Sequence, residues 1–210
     1  SVMNMNKKAM YQLTYGLFVL TSRIGVKDHG CIINTAGQVT SSPNRISIAV
    51  NKDNLTHDVI MASRKFNLSI LSEKADFEIC RHFGFQSGRT TDKFADYPFC
   101  RRSENGLFYL TEGTNAYISA SVEQTIDLGS HTLFIAAVED MDVLSAVPSA
   151  TYAYYQSNIK PKPEKKAPSG KTTWRCTVCG YTYEGEELPA DFVCPICKHP
   201  ASDFEKVTDM

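Results

Sequence analysis

Cys176-Thr-Val-Cys179 and Cys194-Pro-Ile-Cys197 are two C-x-x-C pairs with fourteen residues between them. Each pair wraps a short turn that points both sulfur atoms to the same side, so four thiolates at this spacing can converge on one ion. A tetrahedral set of sulfur ligands suits zinc or iron. In a reducing compartment, such pairs are metal ligands rather than disulfides. The stretch therefore predicts a metal site with four cysteine ligands.

The residues around the pairs bear on which metal binds. Ligand spacing alone favours structural zinc, the commonest occupant of such sites. Five aromatic residues would bury the site in an apolar shell: Trp174, Tyr181, Tyr183, Phe192 and Phe204. Burial and hydrogen bonds to sulfur set the potential of an iron site, but a small domain also needs aromatic residues simply to form a core. The pattern alone leaves zinc and iron open.

The segments Cys176–Tyr183, Leu188–Cys197 and Asp203–Glu205 resemble rubredoxin. This resemblance implies one iron held by the four cysteines and carrying one electron. The gap between the pairs is shorter than in free-standing rubredoxins and closer to the rubredoxin-like part of rubrerythrins. Lys198 stands where glycine is usual, and a left-handed backbone there would cost it roughly 1 kcal/mol. We therefore predict an iron site.

Residues 160–171 contain three prolines and five lysines, a composition that cannot form a packed element. At about 3.1 Å per residue, such a spacer could span nearly 40 Å. We predict a first domain over 1–159, a linker over 160–171 and a rubredoxin-like domain over 172–210. The first domain is large enough for a full core, whereas the second depends on its metal.

Charge is distributed unevenly along these parts. The chain has a net charge of −1, with −1 on 1–159, +4 on the linker and −4 on 172–210. This balance argues against nucleic-acid binding. The acidic domain could be steered to a basic partner surface, or its acids could simply keep it soluble. With no signal peptide and no apolar run of the ~18 residues that span a membrane, we expect a cytoplasmic protein without a membrane partner.

The first domain is predicted to be mainly β with a few helices. Strands are expected at 16–22, 31–35, 46–50, 67–71, 116–126 and 131–143, with a hairpin turn over 26–30 and helices at 5–13, 54–65 and 74–82. Asp53 or Asn54 would cap the second helix. Many strands without a βαβ rhythm favour a closed barrel over a doubly wound sheet. The sequence has no G-x-G-x-x-G, so a Rossmann dinucleotide site is unsupported.

Two polar stretches of this domain are candidate ligand sites. Asn34–Pro43 offers hydroxyls, amides and backbone N–H groups of the kind needed along the edge of a flavin ring. Phe83–Arg89 combines a hydroxyl, a glycine amide and a guanidinium, which suits a phosphate. Loops rich in serine, glycine and asparagine are also commonly just turns.

In combination and order, these stretches resemble the flavin reductase-like family of FMN-binding split barrels. The matching segments are Tyr15–Ser22, Gln38–Pro43, Val50–Thr56, Phe66–Leu71, Ser87–Arg89 and Leu128–His131. The resemblance implies a split β-barrel that binds FMN non-covalently at a homodimer interface and takes hydride from NAD(P)H. It places Thr35, Gln38, Val39, Thr40 and Ser41 at the isoalloxazine and ribityl chain. It places Asn51, Lys52, Thr56, Ser87, Gly88 and Arg89 at the lower ribityl and phosphate end.

His131 occupies the position at which many of these reductases have Gly-Asp-His, with Ser130 in place of the aspartate. The resemblance implies that His131 lies by the flavin face and helps to place nicotinamide; a strand histidine satisfied by backbone groups is the alternative. We expect His57 and His82 on helix surfaces and His29 in a turn. Cys31, Cys80 and Cys100 have no partner motif, so none is expected to be a nucleophile.

Together the two resemblances match the high-molecular-weight rubredoxins, which pass electrons to flavodiiron proteins that reduce nitric oxide or dioxygen. A flavin accepts two electrons as hydride and releases them singly, whereas an iron centre with four thiolate ligands accepts one. The sequence thus predicts an NAD(P)H-dependent FMN/rubredoxin oxidoreductase or electron carrier. The alternatives are a reductase that supplies reduced flavin to a partner, and a binding protein with a zinc ribbon on a barrel.

Overall fold

The computed structural model describes residues 4–161 and 172–207. Its largest element is a seven-stranded antiparallel sheet with the order β2-β1-β5-β8-β9-β4-β3. The strands are β1 (Phe18–Ile24), β2 (Lys27–Ile33), β3 (Ala36–Ser41), β4 (Asn44–Asn51), β5 (Lys65–Leu71), β8 (Thr114–Asp127) and β9 (His131–Val143). Two short strands, β6 (Cys100–Arg102) and β7 (Phe108–Leu110), form a separate hairpin. The predicted mainly β fold is confirmed.

The large sheet curls around one apolar interior. Leu20, Ile48, Phe66 and Phe134, from four different strands, are fully buried in the same cluster. β2 and β3 are the two ends of the sheet, and no ladder joins them within the described residues. The expectation of a closed barrel is therefore wrong: hydrogen bonding leaves an opening between β2 and β3, and the domain is a split barrel.

Side-chain alternation predicted the strands well and the first hairpin less well. Ile46, Ile48 and Val50 are buried on one face of β4, as expected. The turn predicted over 26–30 is displaced, because β1 ends at Ile24 and β2 already begins at Lys27. Gly25 has a φ of +58°, which makes a tight turn at this point possible.

The three predicted helices are all present, and each has bounds that differ from the predicted span. The segment expected at 5–13 is a 3-10 helix over Lys7–Gln12. α1 (Leu55–Ser63) is capped by Asn54, whose Oδ1 accepts from the Thr56 backbone N–H. α2 (Phe77–Gly84) begins later than the predicted 74, because the Asp76 carboxylate caps it by accepting from Ile79 N.

α2 packs on the outside of the barrel through Phe83, in a second apolar cluster with Val19, Leu71 and Tyr155. Tyr155 follows α3 (Tyr152–Tyr154) in a π-helical turn that ends at Ile159. The predicted linker continues from there, and its residues 162–171 lie outside the described residues. In the described part of the chain, no helix combines the length and apolarity needed to cross a membrane.

The C-terminal domain is built around its cysteines. β10 (Thr173–Cys176) lies between β11 (Thr182–Glu184) and β12 (Phe204–Val207). Trp174 on β10 pairs with Tyr183 on one side and Lys206 on the other. Its core consists of cysteines with the aromatic residues that the sequence singled out, among them Trp174, Phe192 and Phe204.

Candidate metal centre and flavin site

The four predicted cysteine ligands converge. The Sγ atoms of Cys176, Cys179, Cys194 and Cys197 all lie within 4.8 Å of one another. Two pairs, Cys176–Cys197 and Cys179–Cys194, are 3.5 Å apart. A tetrahedron with metal–sulfur bonds of about 2.3 Å has edges of about 3.8 Å. The sulfur positions therefore fit one tetrahedral ion.

The backbone around the cysteines favours thiolates. Thiol donation from Cys179 and then from Cys197 lowers the pKa of Cys176, and donation to Cys176 raises the pKa of Cys179 to about 12 and also that of Cys197. The backbone N–H groups, by contrast, lower the pKa at all three sulfurs. On the second pair, the backbone of His199 donates to Cys197. Hydrogen bonds to the sulfurs strongly influence the reduction potential of an iron–thiolate site. These turns therefore suit a redox-active metal as well as a structural one.

The two cysteine turns use the same left-handed residue position. Gly180 follows the first pair with a φ of +82°, and Lys198 follows the second with a φ of +65°. The sequence predicted this conformation for Lys198. A residue with a Cβ is strained there, whereas glycine is not.

We expect Lys198→Gly to stabilise the C-terminal domain by about 1 kcal/mol, because it removes this backbone strain. The measurement is the urea midpoint for loss of the ferric-thiolate absorbance of the iron-loaded protein. Gly180→Ala is the converse control and should lower the same midpoint. A Lys198→Gly midpoint at or below that of the wild type would contradict the strain argument.

A cavity of about 370 Å3 opens where β2, β4, α1 and the loop after α2 meet. Its walls combine apolar side chains (Ile32, Ile33, Val50, Leu55 and Phe83) with polar ones (Asn34, Thr35, Asn51, Asn54 and Ser87). Such a mixture suits an aromatic ligand with a polar tail, and the volume lies in the range of sites for one small ligand.

Five of the twelve predicted residues of the flavin and nicotinamide site line this cavity: Thr35, Asn51, Ser87, Gly88 and His131. Thr56 is buried at the start of α1, and its backbone N–H is already bonded to Asn54. Lys52 and Arg89 lie outside the lining and pair with acids: Lys52 Nζ is 2.6 Å from Asp127 and Arg89 Nη2 is 3.2 Å from Asp58.

The other four predicted residues, Gln38, Val39, Thr40 and Ser41, are exposed on edge strand β3. Gln38 Nε2 donates to Asn44, and Thr40 Oγ1 donates to Pro43 O. Gln38 borders a second, more apolar cavity of about 380 Å3, together with Phe18, Ile46 and Met141. The chain by itself therefore does not bring β3 into the first cavity.

The fit of FMN to the first cavity rests on the hydrogen-bonding groups that line the cavity and on the glycine at position 88. A Cβ on Gly88 would lie 3.4 Å from Leu55 Cδ2 and 3.6 Å from His29 Nδ1. Glycine at this position keeps the loop backbone free of a side chain that would lie against α1. The Ser87 hydroxyl lies beside it, as a phosphate-binding loop requires. The residues present thus fit a flavin with a phosphate tail.

Lys93 is a cavity residue that sequence reasoning missed. It is only 5% exposed, and its Nζ donates to the carbonyl oxygens of Gly30 (2.8 Å) and Phe83 (2.9 Å). Burial lowers its pKa. The bonds fasten β2 to α2, and no local sequence pattern could have indicated them, because Gly30 lies 63 positions away.

His57 was predicted to lie on a helix surface, and this prediction is wrong. The residue is only 7% exposed and lies where α1 packs against β9. Its Nδ1 donates to Asp58 (2.9 Å), and its Nε2 lies 2.7 Å from Thr132 Oγ1. The bond from His57 and then that from Arg89 lower the pKa of Asp58. A continuous polar chain therefore runs from Arg89 to β9 beside His131.

His82 is also more enclosed than predicted, whereas Cys31 and Cys80 are buried and bear out the expectation for their thiols. His82 is half-buried, with its Nε2 2.5 Å from Lys93 O, and it stacks on Tyr97. His29 lies within β2 rather than in a turn. Burial raises the pKa of Cys31, and it raises that of Cys80 to about 12, which agrees with the prediction that neither is a nucleophile.

His131 is the first residue of β9, and its side chain borders the cavity. Ser130 Oγ lies 2.8 Å from His131 Nδ1. The serine that replaces the expected aspartate can therefore still orient the ring, leaving Nε2 for a ligand. The opposite strand β4 places Asn51 beside it as its register partner.

The C-terminal domain supplies another wall of the same cavity. Ile196, Cys197, Lys198, His199 and Pro200 all line it. Cys197 is one of the four metal ligands, so the metal site directly adjoins the space that suits the flavin. No motif in the sequence predicted this contact.

Comparisons with known proteins identify a family for each of the two parts of the chain. Residues 10–162 match the family described as flavin reductase like domain, and residues 174–205 match the rubrerythrin, rubredoxin-like domain. The chain is 37% identical to the high molecular weight rubredoxin of Moorella thermoacetica, over 97% of this chain and all of that one. It is 33% identical to the ferric-chelate reductase (NAD(P)H) of Archaeoglobus fulgidus, over 78% of this chain and 96% of that one.

Among solved structures, the NADH:FAD oxidoreductase SgcE6 of Streptomyces globisporus C-1027 superposes with a TM-score of 0.63. The match covers 69% of this chain and 85% of that one, at 23% identity. This likeness concerns the fold alone, and it supports the barrel assignment.

Proposed function

The chain belongs to the flavin reductase-like family and joins to it a rubredoxin-like domain, as high molecular weight rubredoxins do; from this we propose that it passes electrons from NAD(P)H through FMN to an iron centre held by four cysteines. Oxidoreductase activity and electron transfer between a flavin and a rubredoxin-type site follow from this family membership. The choice of FMN, the nicotinamide donor and the final acceptor are the proposal.

One observation carries the proposal: a single cavity is lined both by predicted flavin-site residues and by the metal ligand Cys197. A flavin held there would adjoin the iron site, so no further carrier is needed between them. The same observation disfavours a reductase that merely releases reduced flavin, because the metal domain closes the cavity instead of leaving it open.

Each residue group has a proposed role. Bound FMN supplies the change from two-electron to one-electron chemistry, since it takes hydride and gives up single electrons. Thr35, in the connection from β2 to β3, and Asn51, at the end of β4, hold the ring and ribityl chain. Ser87, Gly88 and Arg89 hold the phosphate, Arg89 by turning from its exposed contact with Asp58. His131 places the nicotinamide.

We propose that a second copy of the chain completes the flavin site. The four predicted residues of β3 are exposed in one chain, and Val39 there is 49% exposed. Met141 of β9 is 56% exposed and borders the second cavity together with Gln38 of β3. Pairing these surfaces in a homodimer would cover them and would bring Gln38–Ser41 against the partner's cavity.

The proposed location and electron acceptor rest on the resemblance to high-molecular-weight rubredoxins and on the negative charge of the C-terminal domain. We propose a cytoplasmic protein whose acceptor is a flavodiiron-type reductase, approached through the acidic C-terminal domain. The division into 1–159, 160–171 and 172–210 remains part of the proposal.

A spectrum and a stopped-flow experiment test the function. Purified protein should show flavin bands with ferric-thiolate absorption, and anaerobic NADH or NADPH should bleach the flavin before the iron. Each nicotinamide supplies two electrons, so it should reduce two ferric centres when the flavin returns to its oxidised state. Colourless, zinc-loaded protein would support the zinc-ribbon alternative instead, and iron that stays ferric after flavin bleaching would refute the relay.

His131→Ala should lower the second-order rate of flavin reduction by NAD(P)H about tenfold, because one hydrogen bond to the bound nicotinamide is lost. Ser130→Ala should give a smaller loss, since it frees the ring without removing it. The flavin affinity and the reduction of FMN by dithionite serve as controls and should be unchanged. If dithionite reduction slows equally, His131 has a structural role.

A further inference from the structure

The second cysteine turn of the C-terminal domain, Ile196–Pro200, borders the same space as Thr35, Asn51 and His131. We call these five residues the plug segment. A molecule that enters the cavity to reach a flavin from this side must compete with the plug segment. The nicotinamide, which His131 is proposed to place, is such a molecule.

The size of the cavity makes the competition strict. Its volume of about 370 Å3 is measured with the plug segment in place. Sites for a single drug-sized ligand occupy ~300–1,000 Å3, so this one lies at the small end. One flavin would take up most of a cavity of this size, so a nicotinamide stacked on that flavin would need the space that the plug segment occupies. The arrangement in the structure therefore suits electron transfer to the iron and not hydride transfer.

The contact between the plug segment and the barrel domain is small enough to be reversible. Ile196 remains 50% exposed while it lines the cavity, and Lys198 is exposed as well. Small contacts between domains behave like transient interfaces. The chain that joins the domains has the proline- and lysine-rich composition of a spacer.

We propose, on the basis of the proposed electron path, that the plug segment alternates between two positions. Seated, it brings the iron beside the flavin and excludes nicotinamide. When the plug segment is withdrawn, it admits nicotinamide, which transfers a hydride to FMN. Water supplies the one proton that completes the reduced flavin. When it is seated again, one electron passes to Fe3+. A one-electron acceptor reoxidises the iron before the second electron follows. The reduced flavin returns two protons to water as it is reoxidised, so the net release is one proton per nicotinamide.

The test uses full-length protein loaded with FMN and iron, carrying Ile196→Asp. A carboxylate in place of this half-buried side chain should unseat the segment, since burying an unpaired charge is costly. We expect the second-order rate of flavin bleaching by NAD(P)H to rise severalfold and the rate of iron reduction to fall about tenfold. FMN should also dissociate several times faster from the oxidised protein. Lys198→Glu, which reverses a charge of the same segment, should change all three rates in the same directions.

Val207→Asp is the matched control: it places the same charge at another exposed apolar position of the domain, away from the cavity. It should change none of the three rates, and intact ferric-thiolate absorbance shows that each variant is folded. Flavin bleaching that does not accelerate in either plug variant would overturn the proposal. FMN dissociation needs no electron donor, so unchanged dissociation in both variants also refutes the plug. A wild type whose iron is never reduced refutes the proposed function separately.

Discussion

Replacing Cys197 by serine should abolish the ferric-thiolate chromophore completely while FMN remains bound to the barrel. The substitution opens the tetrahedral shell of a domain whose core consists largely of its cysteines and the aromatic residues around them. In such small domains, metal binding supplies most of the folding free energy. The measurement is iron content and visible absorbance, together with flavin fluorescence titration of the same sample.

The same outcome is expected for serine at Cys176, Cys179 and Cys194, because all four sulfurs belong to one site. Cys100→Ser is the matched control, since Cys100 is half-buried in the barrel domain and far outside the sulfur cluster. It should retain full iron. Unseating the plug segment would weaken FMN binding severalfold in these variants, but complete loss of FMN binding in all four would refute the division into two domains.

Arg89→Ala should weaken FMN binding by roughly 1.5–3 kcal/mol, or about 10- to 100-fold, because a charge-assisted phosphate contact is lost. In the structure the guanidinium is half-exposed and 3.2 Å from Asp58, so it must exchange one anion for another when FMN binds. Riboflavin has no phosphate and should lose much less affinity. The measurement is the dissociation constant of each flavin by fluorescence quenching.

Arg81→Ala provides the comparison for this experiment. Arg81 is also an exposed arginine paired with a carboxylate, that of Glu78, but it lies on α2 outside the cavity lining. Its replacement should leave both affinities unchanged. Equal losses of FMN and riboflavin affinity in Arg89→Ala would mean that Arg89 supports the fold rather than the phosphate.

Features encoded within a few residues were predictable from the sequence. The cysteine turns place their ligands within four residues, and their left-handed position at Lys198 follows from comparison with Gly180. The alternation of Ile46, Ile48 and Val50 fixes the buried face of β4 in the same way. Such features need no knowledge of how distant segments meet.

Features that depend on distant partners were not predictable. His57 was expected at a helix surface, but Thr132, 75 positions away, encloses it. A polar residue on a short helix gives no sign of which face the sheet will cover. Lys93 is likewise fixed by carbonyl groups of two other elements. The wall that Ile196–Pro200 add to the cavity had no signal either, because docking between domains leaves no periodicity in sequence.

Trp174 is the single tryptophan of the chain, and it packs against the cysteine cluster. Ultraviolet emission excited at the long-wavelength edge of indole absorption therefore originates in the C-terminal domain alone, whereas visible flavin emission would originate in the barrel. Ferric-thiolate absorption near the indole should quench this emission by energy transfer, and a colourless zinc site should leave it bright. One cuvette thus contains one optical signal from each half, with which the occupancy and melting of both halves can be followed in the intact chain.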